Sequence, residues 1–223
     1  MDDVEVIGLL SDPLRRRLYD FVVGQHREVS RSEAADATGA KRSLVAFHLD
    51  KLVDAGLLVA TERRVNGRSG PGAGRPAKLY RRSDAEHRVS LPARDHGTLA
   101  ELLADAAEMA RLDEALYEAA RRHGEAVAGS ASTDATTSDA TTTDEALTLL
   151  EARGYEPYLD GEVIRMRNCP FHPLAERHPG MICGMNLALL EGLFGATPTW
   201  HARLDPLPDG GCCVTLESKN NQD

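Results

Sequence analysis

Two short helical segments separated by a glycine place the strongest constraint on how this chain folds. Ser30 and Glu33 lie three positions apart, which is the spacing of a capping box, so a helix is predicted to begin after Ser30 and to end at Gly39. A second helix is predicted over about 41–55, with Gly56 as its C-terminal stop. Two short helices joined across a glycine turn form a helix-turn-helix.

A long basic loop follows the second helix. Residues 57–60 and 78–80 are apolar enough to form two short strands, and residues 61–76 between them contain four Gly, two Pro and four Arg. This composition is typical of a flexible hairpin tip, and its positive charge suits DNA phosphates or a minor groove. The sequence therefore predicts a winged helix-turn-helix.

Charge is divided unevenly along the chain. The formal net charge is −9, yet residues 1–94 hold 17 basic and 13 acidic side chains, whereas residues 95–223 hold 9 basic and 22 acidic ones. A local basic patch, not the total charge, is what attracts a polyanion. A merely solvated basic loop is the alternative interpretation.

The N-terminal residues of the second helix are the expected readers of DNA, because that end of such a helix enters the major groove first. Arg42 is the candidate for a bidentate bond to guanine, and Lys41 and Ser43 are candidates for phosphate contacts. The alternative is the polar start of a surface helix. His48, on the inner stripe, is expected to be a hydrogen-bonded packing residue. The candidate DNA-binding residues are Lys41, Arg42, Ser43, Ala46, Phe47, Arg63, Arg64, Arg68, Arg75 and Lys78.

Two stretches in this region resemble a known family. The sequence LSDPLRRRL at 10–18 and the sequence FHLDKLVDAGLL at 47–58 are similar to those of the ArsR-type winged-helix regulators. The resemblance covers about 70 residues and implies the winged-helix fold and DNA binding. It does not specify the signal that is sensed.

The middle of the chain is expected to connect two domains. Apolar residues recur at near-heptad spacing over 97–123, although Asp113 interrupts the pattern. The spacing predicts a dimerisation helix, and packing on its own domain is an alternative. Residues 129–143 contain no large apolar side chain and are predicted to be a flexible linker, after which Asp144 caps a helix. The predicted domains are 1–94 (DNA-binding), 95–128 (dimerisation helix), 129–143 (linker) and 144–223 (cysteine-bearing sensor).

All four cysteines lie in the last 55 residues, at positions 169, 183, 212 and 213. A zinc ribbon needs paired C-x2-C knuckles, which this spacing lacks. Cys169 and His172 could form a catalytic pair, but the other thiols would then have no role. Four buried small hydrophobic residues are a further alternative. Three separated thiolates that meet in one pocket suit an iron–sulfur cluster.

The predicted local structure brings three of these thiols together. Cys169 follows a strand, and Cys183 lies in the first turns of a helix that begins at Pro179, where the helix dipole favours a thiolate. Cys212 and Cys213 are expected on a strand, facing opposite ways, with Cys212 towards the core. Cys212 is therefore the expected ligand. The candidates for a fourth ligand are Cys213, His172, His178, His201 and a small thiol.

The cysteine segments carry a second, closer resemblance. The stretches 168–175 (NCPFHPLA), 181–187 (MICGMNL) and 211–214 (GCCV), with the loop at 70–80, resemble the SufR family. The resemblance implies a winged-helix repressor of iron–sulfur assembly genes that holds an oxygen-sensitive [4Fe–4S] cluster through three cysteines, here Cys169, Cys183 and Cys212. We expect this repressor to be a homodimer. The linker at 129–143 departs from the family pattern.

The resulting expectation is an α+β protein with an N-terminal winged helix-turn-helix, a linking dimerisation helix and a small α+β sensor domain. We expect a cytoplasmic transcriptional regulator that binds operator DNA and no membrane, since the first residues are acidic and no apolar run reaches about 18 residues. We expect neither an enzyme nor a small-molecule substrate. The alternative is the same DNA-binding half with a sensor for zinc, thiol oxidation or an apolar ligand.

Overall fold

The computed structural model describes residues 1–63, 77–131, 142–197, 199–206 and 211–219, with only the backbone at residues 130 and 131. The chain forms two compact units, Met1–Arg94 and Asp95–Asp223. In the described part of the chain, no helix is long and apolar enough to cross a membrane.

The N-terminal unit is built from short, well-capped helices. Its helices are α1 (Asp3–Gly8), a 3-10 turn (Leu9–Ser11), α2 (Pro13–Gly24), α3 (Arg31–Thr38) and α4 (Arg42–Asp54). Asp12 caps α2 by accepting from two backbone N–H groups. Ser30 and Glu33 form the predicted capping box of α3, and Gly39 ends that helix with a left-handed φ of 66°. The local signals in the sequence therefore set the helix ends as predicted.

A small sheet closes the N-terminal unit. Its strands are β1 (Val29–Ser30), β2 (Leu58–Arg63) and β3 (Ala77–Arg82), and β3 lies between the other two, antiparallel to both. The tip predicted between β2 and β3 lies outside the described residues. Helices and sheet share one core, whose largest fully buried side chains are Leu18, Val22, Leu49, Leu52, Leu58 and Tyr80.

The single helix predicted over 97–123 is two helices. They are α5 (His96–Met109) and α6 (Asp113–Ala131), and the break between them places Arg111 at a φ of 52°. The heptad interpretation was wrong in this respect, because Asp113 begins a new helix instead of interrupting one. Helix α6 also continues through the backbone of Ala131, three residues into the predicted linker, and residues 132–141 lie outside the described part.

Helix α6 packs tightly against α9 (Pro179–Phe194) inside the C-terminal unit. A Cβ atom added at Gly124 would collide with the backbone of Leu189, and one added at Gly192 would collide with the carbonyl of Arg121. The two helices therefore approach each other backbone to backbone. The alternative of packing on its own domain is correct for α6.

A four-stranded antiparallel sheet completes the C-terminal unit. Its strands are β4 (Pro157–Asp160), β5 (Val163–Met166), β6 (Trp200–Leu204) and β7 (Val214–Ser218), in the order β4-β5-β7-β6. Helix α7 (Thr143–Glu151) precedes the sheet, and a short α8 (His172–Arg177) lies between β5 and α9. Thr142, not Asp144, caps α7, because its hydroxyl completes a capping box with Glu145.

Candidate functional site

The first turn of α4 presents an exposed polar edge. Lys41 occupies the N-cap position without a side-chain capping bond, and Lys41, Arg42 and Ser43 are all exposed. Phe47, one turn further on, is 54% exposed, and Ala46 beside it is half-buried. The predicted contact residues on α4 therefore line one accessible surface that a DNA groove could reach.

The opposite face of α4 is buried. Val45, Leu49 and Leu52 are fully enclosed in the core, and His48 is 6% exposed. The Nδ1 atom of His48 lies 3.4 Å from Nε of Arg15. His48 is thus the packing histidine that the sequence predicted.

A carboxylate on α4 ties this helix to β3. Asp50 accepts from Nζ of Lys78 at 2.6 Å and from the hydroxyl of Tyr80 at 3.0 Å, and Arg31 approaches it at 3.2 Å. Burial raises the pKa of Asp50, but the hydrogen bonds from Lys78 and Tyr80 outweigh it, so the net pKa is lowered. The network fixes the orientation of α4 relative to the sheet.

Two of the predicted loop cations already have partners within the N-terminal unit. Lys78 is held by Asp50, and Nη2 of Arg63 lies 2.7 Å from the carboxylate of Glu28. Arg64, Arg68 and Arg75, which were also predicted to contact DNA, lie outside the described residues.

The four cysteines come from three segments of the C-terminal unit, and all are free thiols. Cys169 follows β5 and Cys183 lies in the second turn of α9, whereas Cys212 and Cys213 precede β7. The expectation that Cys212 and Cys213 sit on a strand was wrong, because β7 begins at Val214, but Cys212 does lie in the core, as predicted. Because both lie in the loop before the strand, their side chains can reach neighbouring thiols.

The thiols form one hydrogen-bonded series, Cys169–Cys212–Cys213–Cys183, which we call the thiol chain. Hydrogen bonding with Cys169 and with Cys213, together with burial, raises the pKa of the Cys212 thiol. The bond from Cys212 lowers the pKa of Cys169. Bonds from Cys212 and Cys183 lower the pKa of Cys213 to about 6.

The pKa shift of Cys183 is opposite to the effect that a helix N-terminus has on a thiol. Burial, followed by donation of its proton to Cys213, raises its pKa to about 12. The position in the second turn of α9 therefore does not make Cys183 a thiolate in this state, because desolvation outweighs the helix dipole.

The thiol chain matches the donor chemistry of an iron–sulfur centre, which requires several cysteine sulfurs in a partly buried site. In the described residues, however, no group of three or more His, Cys, Asp or Glu side chains is arranged so that it could hold a metal ion. In this arrangement, the described cysteine sulfurs therefore do not surround a common centre. A cluster held by these cysteines requires that the bonds of the thiol chain open.

The three candidate histidines lie beside carboxylates. His172 is 66% exposed at its side chain and contacts Glu176 at 3.2 Å, and His201 lies 3.5 Å from Glu217. His178 is 6% exposed and lies 2.7 Å from Glu108. Of the predicted fourth ligands, Cys213 is the one that the described hydrogen bonds join to the other thiols.

Two residues beside the thiol chain were not predicted from the sequence: Asn186 contacts Cys212, and Tyr155 contacts Asn186. Nδ2 of Asn186 lies 3.2 Å from Sγ of Cys212, and the Tyr155 hydroxyl donates to Oδ1 of Asn186. The available signal was a lone asparagine in an apolar helix, which gives no partner until the fold is known.

Comparison with known families identifies the N-terminal region. Residues 10–60 match the model of a helix-turn-helix domain. Comparisons with curated proteins and with solved structures give no significant match. The matched domain supports a DNA-binding transcriptional regulator, a class of protein that is typically not enzymatic.

Proposed function

We propose that this protein is a homodimeric winged-helix repressor of iron–sulfur assembly genes, and that a [4Fe–4S] cluster controls its affinity for operator DNA. The observation that carries the sensor part is the convergence of four thiols from three segments. The helix-turn-helix match supports the DNA-binding part.

The exposed edge of α4 is the proposed DNA-reading surface. Arg42 pairs with a base edge, because its planar fork can donate two bonds to guanine. Lys41 and Ser43 hold phosphates, and Phe47 offers apolar contact to a thymine methyl group. The exposure of these side chains supports this assignment.

Cys169, Cys183 and Cys212 are the proposed cluster ligands, with Cys213 favoured over His172 as the fourth. When bound, the cluster supplies a redox- and oxygen-sensitive centre whose loss changes the ligands' positions. Cys213 is favoured because it already contacts Cys212 and Cys183, whereas His172 is exposed beside Glu176.

Helix α5 is the proposed dimer contact. Its exposed apolar side chains are Leu99, Leu102, Leu103 and Met109. They recur at helical spacing along one side, whereas Ala104 on another side is buried against Met181 and Ile182. A second copy that covers this side would form a two-fold dimer, which is the symmetry of an operator with two half-sites.

The same helix is the first element of the C-terminal unit, since α5 begins at His96 and the N-terminal unit ends at Arg94. His178 lies between Glu108 and Asp105 of α5, and Arg177 pairs with Glu101 at 2.7 Å. These two basic residues lie on the segment between Cys169 and Cys183. Movement of either cysteine would therefore displace α5, and about 1.4 kcal/mol of differential binding gives a tenfold change in DNA affinity.

The test is anaerobic purification followed by measurement of iron, acid-labile sulfide and zinc per chain. We expect about four iron and four sulfide, and loss of both in Cys169→Ser, Cys183→Ser and Cys212→Ser. The fourth ligand is identified by comparing Cys213→Ser with His172→Ala. The variant that loses iron marks the residue that is the ligand. Protein that cannot be reconstituted with iron and sulfide would contradict the proposal.

A thiol–disulfide switch is a second candidate, favoured by the direct hydrogen bond between Cys169 and Cys212. It predicts metal-free protein that forms one intramolecular disulfide on mild oxidation and changes its DNA affinity as it does so. Thiol counting before and after oxidation, with iron and zinc measured on the same sample, separates the two candidates.

A further inference from the structure

Asn186 is a fully buried amide in an otherwise apolar part of α9. Its exposed fraction is 0%, and its neighbours Met185 and Leu187 are hydrophobic. An amide buried without hydrogen bonds would destabilise the unit, so both ends of this side chain need partners.

Both ends have a partner of defined chemistry. Oδ1 of Asn186 accepts from the Tyr155 hydroxyl at 2.5 Å, and Nδ2 lies 3.2 Å from Sγ of Cys212. Because Tyr155 donates to the amide oxygen, the amide nitrogen is turned towards the sulfur. Tyr155 is itself buried, and burial raises its pKa, so its hydroxyl stays a protonated donor.

We infer that Tyr155 and Asn186 form a positioning pair that holds an N–H donor on the sulfur of Cys212 and stabilises negative charge there. This inference deepens the proposed function and rests on it as far as Cys212 is a cluster ligand. Neither residue is proposed as a cluster ligand, since neither side chain carries a thiol.

The donor has two consequences for a ligand sulfur. It favours the more negative, reduced state of the site, and hydrogen bonds of this kind are a main determinant of iron–sulfur reduction potentials. It also fixes the direction of the Cys212 side chain, and removal of such outer partners typically costs about 10–100-fold in metal affinity.

The chain offers a matched control in Asn168, which lies beside Cys169. Its two ends also have partners, but these are backbone groups: Oδ1 accepts from the N–H of Glu156, and Nδ2 donates to the carbonyl of Gly154. Asn168→Leu therefore removes two hydrogen bonds near a cysteine without removing one to sulfur.

The experiment compares Asn186→Leu with Asn168→Leu in the full-length, cluster-loaded protein. For Asn186→Leu we expect a more negative reduction potential and about tenfold faster iron loss to a chelator. For Asn168→Leu we expect an unchanged potential, whatever its effect on thermal stability. Equal potentials for Asn186→Leu and the wild type, or equal shifts in both variants, would overturn the inference.

If Asn186→Leu does not fold, Tyr155→Phe provides a second test of the pair. In reduced, metal-free protein labelled with nitrogen-15, we expect slow hydrogen exchange at the Asn186 side-chain amide and at least tenfold faster exchange in Tyr155→Phe. Equally fast exchange in both proteins would overturn the pair. This readout needs no cluster, so it stands apart from the iron and sulfide content that tests the proposed function.

Discussion

The two units carry their candidate functional groups in opposite ways. In the N-terminal unit, Lys41, Arg42 and Ser43 lie exposed on one turn of a helix whose other face forms the core. In the C-terminal unit, the thiol chain is assembled from three segments and is partly enclosed, with Cys212 3% exposed. A surface site of the first kind can change without unfolding its unit, whereas a site of the second kind depends on the fold around it.

The largest expected effect is a loss of stability when the close approach of α6 and α9 is disturbed. Gly192→Ala would drive a Cβ into the Arg121 carbonyl, so we expect a loss of about 3 kcal/mol or more in the unfolding free energy of the C-terminal unit. Fluorescence of Trp200, the only tryptophan, reports unfolding of this unit in urea.

The control for this variant lies in the same helix. A Cβ at Gly180 would meet nothing within 4 Å, so Gly180→Ala should leave the midpoint unchanged or raise it slightly. Equal midpoints for the two variants would mean that the backbone contact between α6 and α9 does not hold the unit together.

A smaller effect, confined to DNA binding, is expected at the exposed site. Arg42→Ala should weaken specific DNA binding by roughly 10- to 100-fold, as for loss of a bidentate base contact worth about 1–3 kcal/mol, and should leave thermal stability unchanged. Binding is measured at one fixed salt concentration, on duplexes enriched from a random pool by the wild-type protein.

Arg16→Ala is the matched control for Arg42→Ala. Arg16 is an exposed arginine of the same unit that pairs with Asp20 on the same helix, α2, and is not one of the proposed DNA-reading residues. A loss of affinity as large as that of Arg42→Ala would indicate general charge attraction in place of base reading.

The capping box of α3 should contribute about 1 kcal/mol to the stability of the N-terminal unit. Ser30→Ala removes the hydroxyl that accepts from the backbone N–H of Glu33. We expect faster hydrogen exchange at the first amides of α3, whereas Ser32→Ala, inside the same helix, should change the exchange much less. Comparable changes in both variants would argue against the cap as the source of this stability.

The smallest effect concerns pH. The folded-state pKa of Asp50 lies below its ordinary value of 3.8, so its contribution is present above that pH and is lost as the pH falls through the folded pKa. Since Asp50 is partly exposed, we expect this contribution to be below about 1 kcal/mol. Asp50→Asn should reduce the loss of unfolding free energy that the N-terminal unit shows below pH 4, whereas Asp36→Asn, at an exposed position on α3, should leave that loss unchanged. The same pH dependence in the wild type and both variants would contradict this role.

The N-terminal unit could be predicted closely because its signals are local. Asp12 with Pro13 begins α2, Ser30 with Glu33 begins α3, and Gly39 ends it, each within one helical turn of its partner. Such contacts join residues that are close in sequence, so they can be predicted from a single sequence.

The C-terminal unit depends on contacts between distant residues, and there the predictions were less accurate. Periodicity over 97–123 did not reveal the break at Arg111, and the adjacent Cys212 and Cys213 were placed on a strand. Asn186 gave no signal, because its partners Tyr155 and Cys212 lie 31 and 26 residues away. What could be predicted was the confinement of the cysteines to this unit, from which their convergence was inferred.

The most direct test of the proposed function is the DNA affinity of one preparation before and after removal of the proposed cluster under anaerobic conditions. At fixed salt, we expect the cluster-loaded protein to bind the enriched duplex at least tenfold more tightly, which corresponds to about 1.4 kcal/mol. Equal affinity of the loaded and cluster-free proteins would contradict the claim that the cysteine site controls DNA binding.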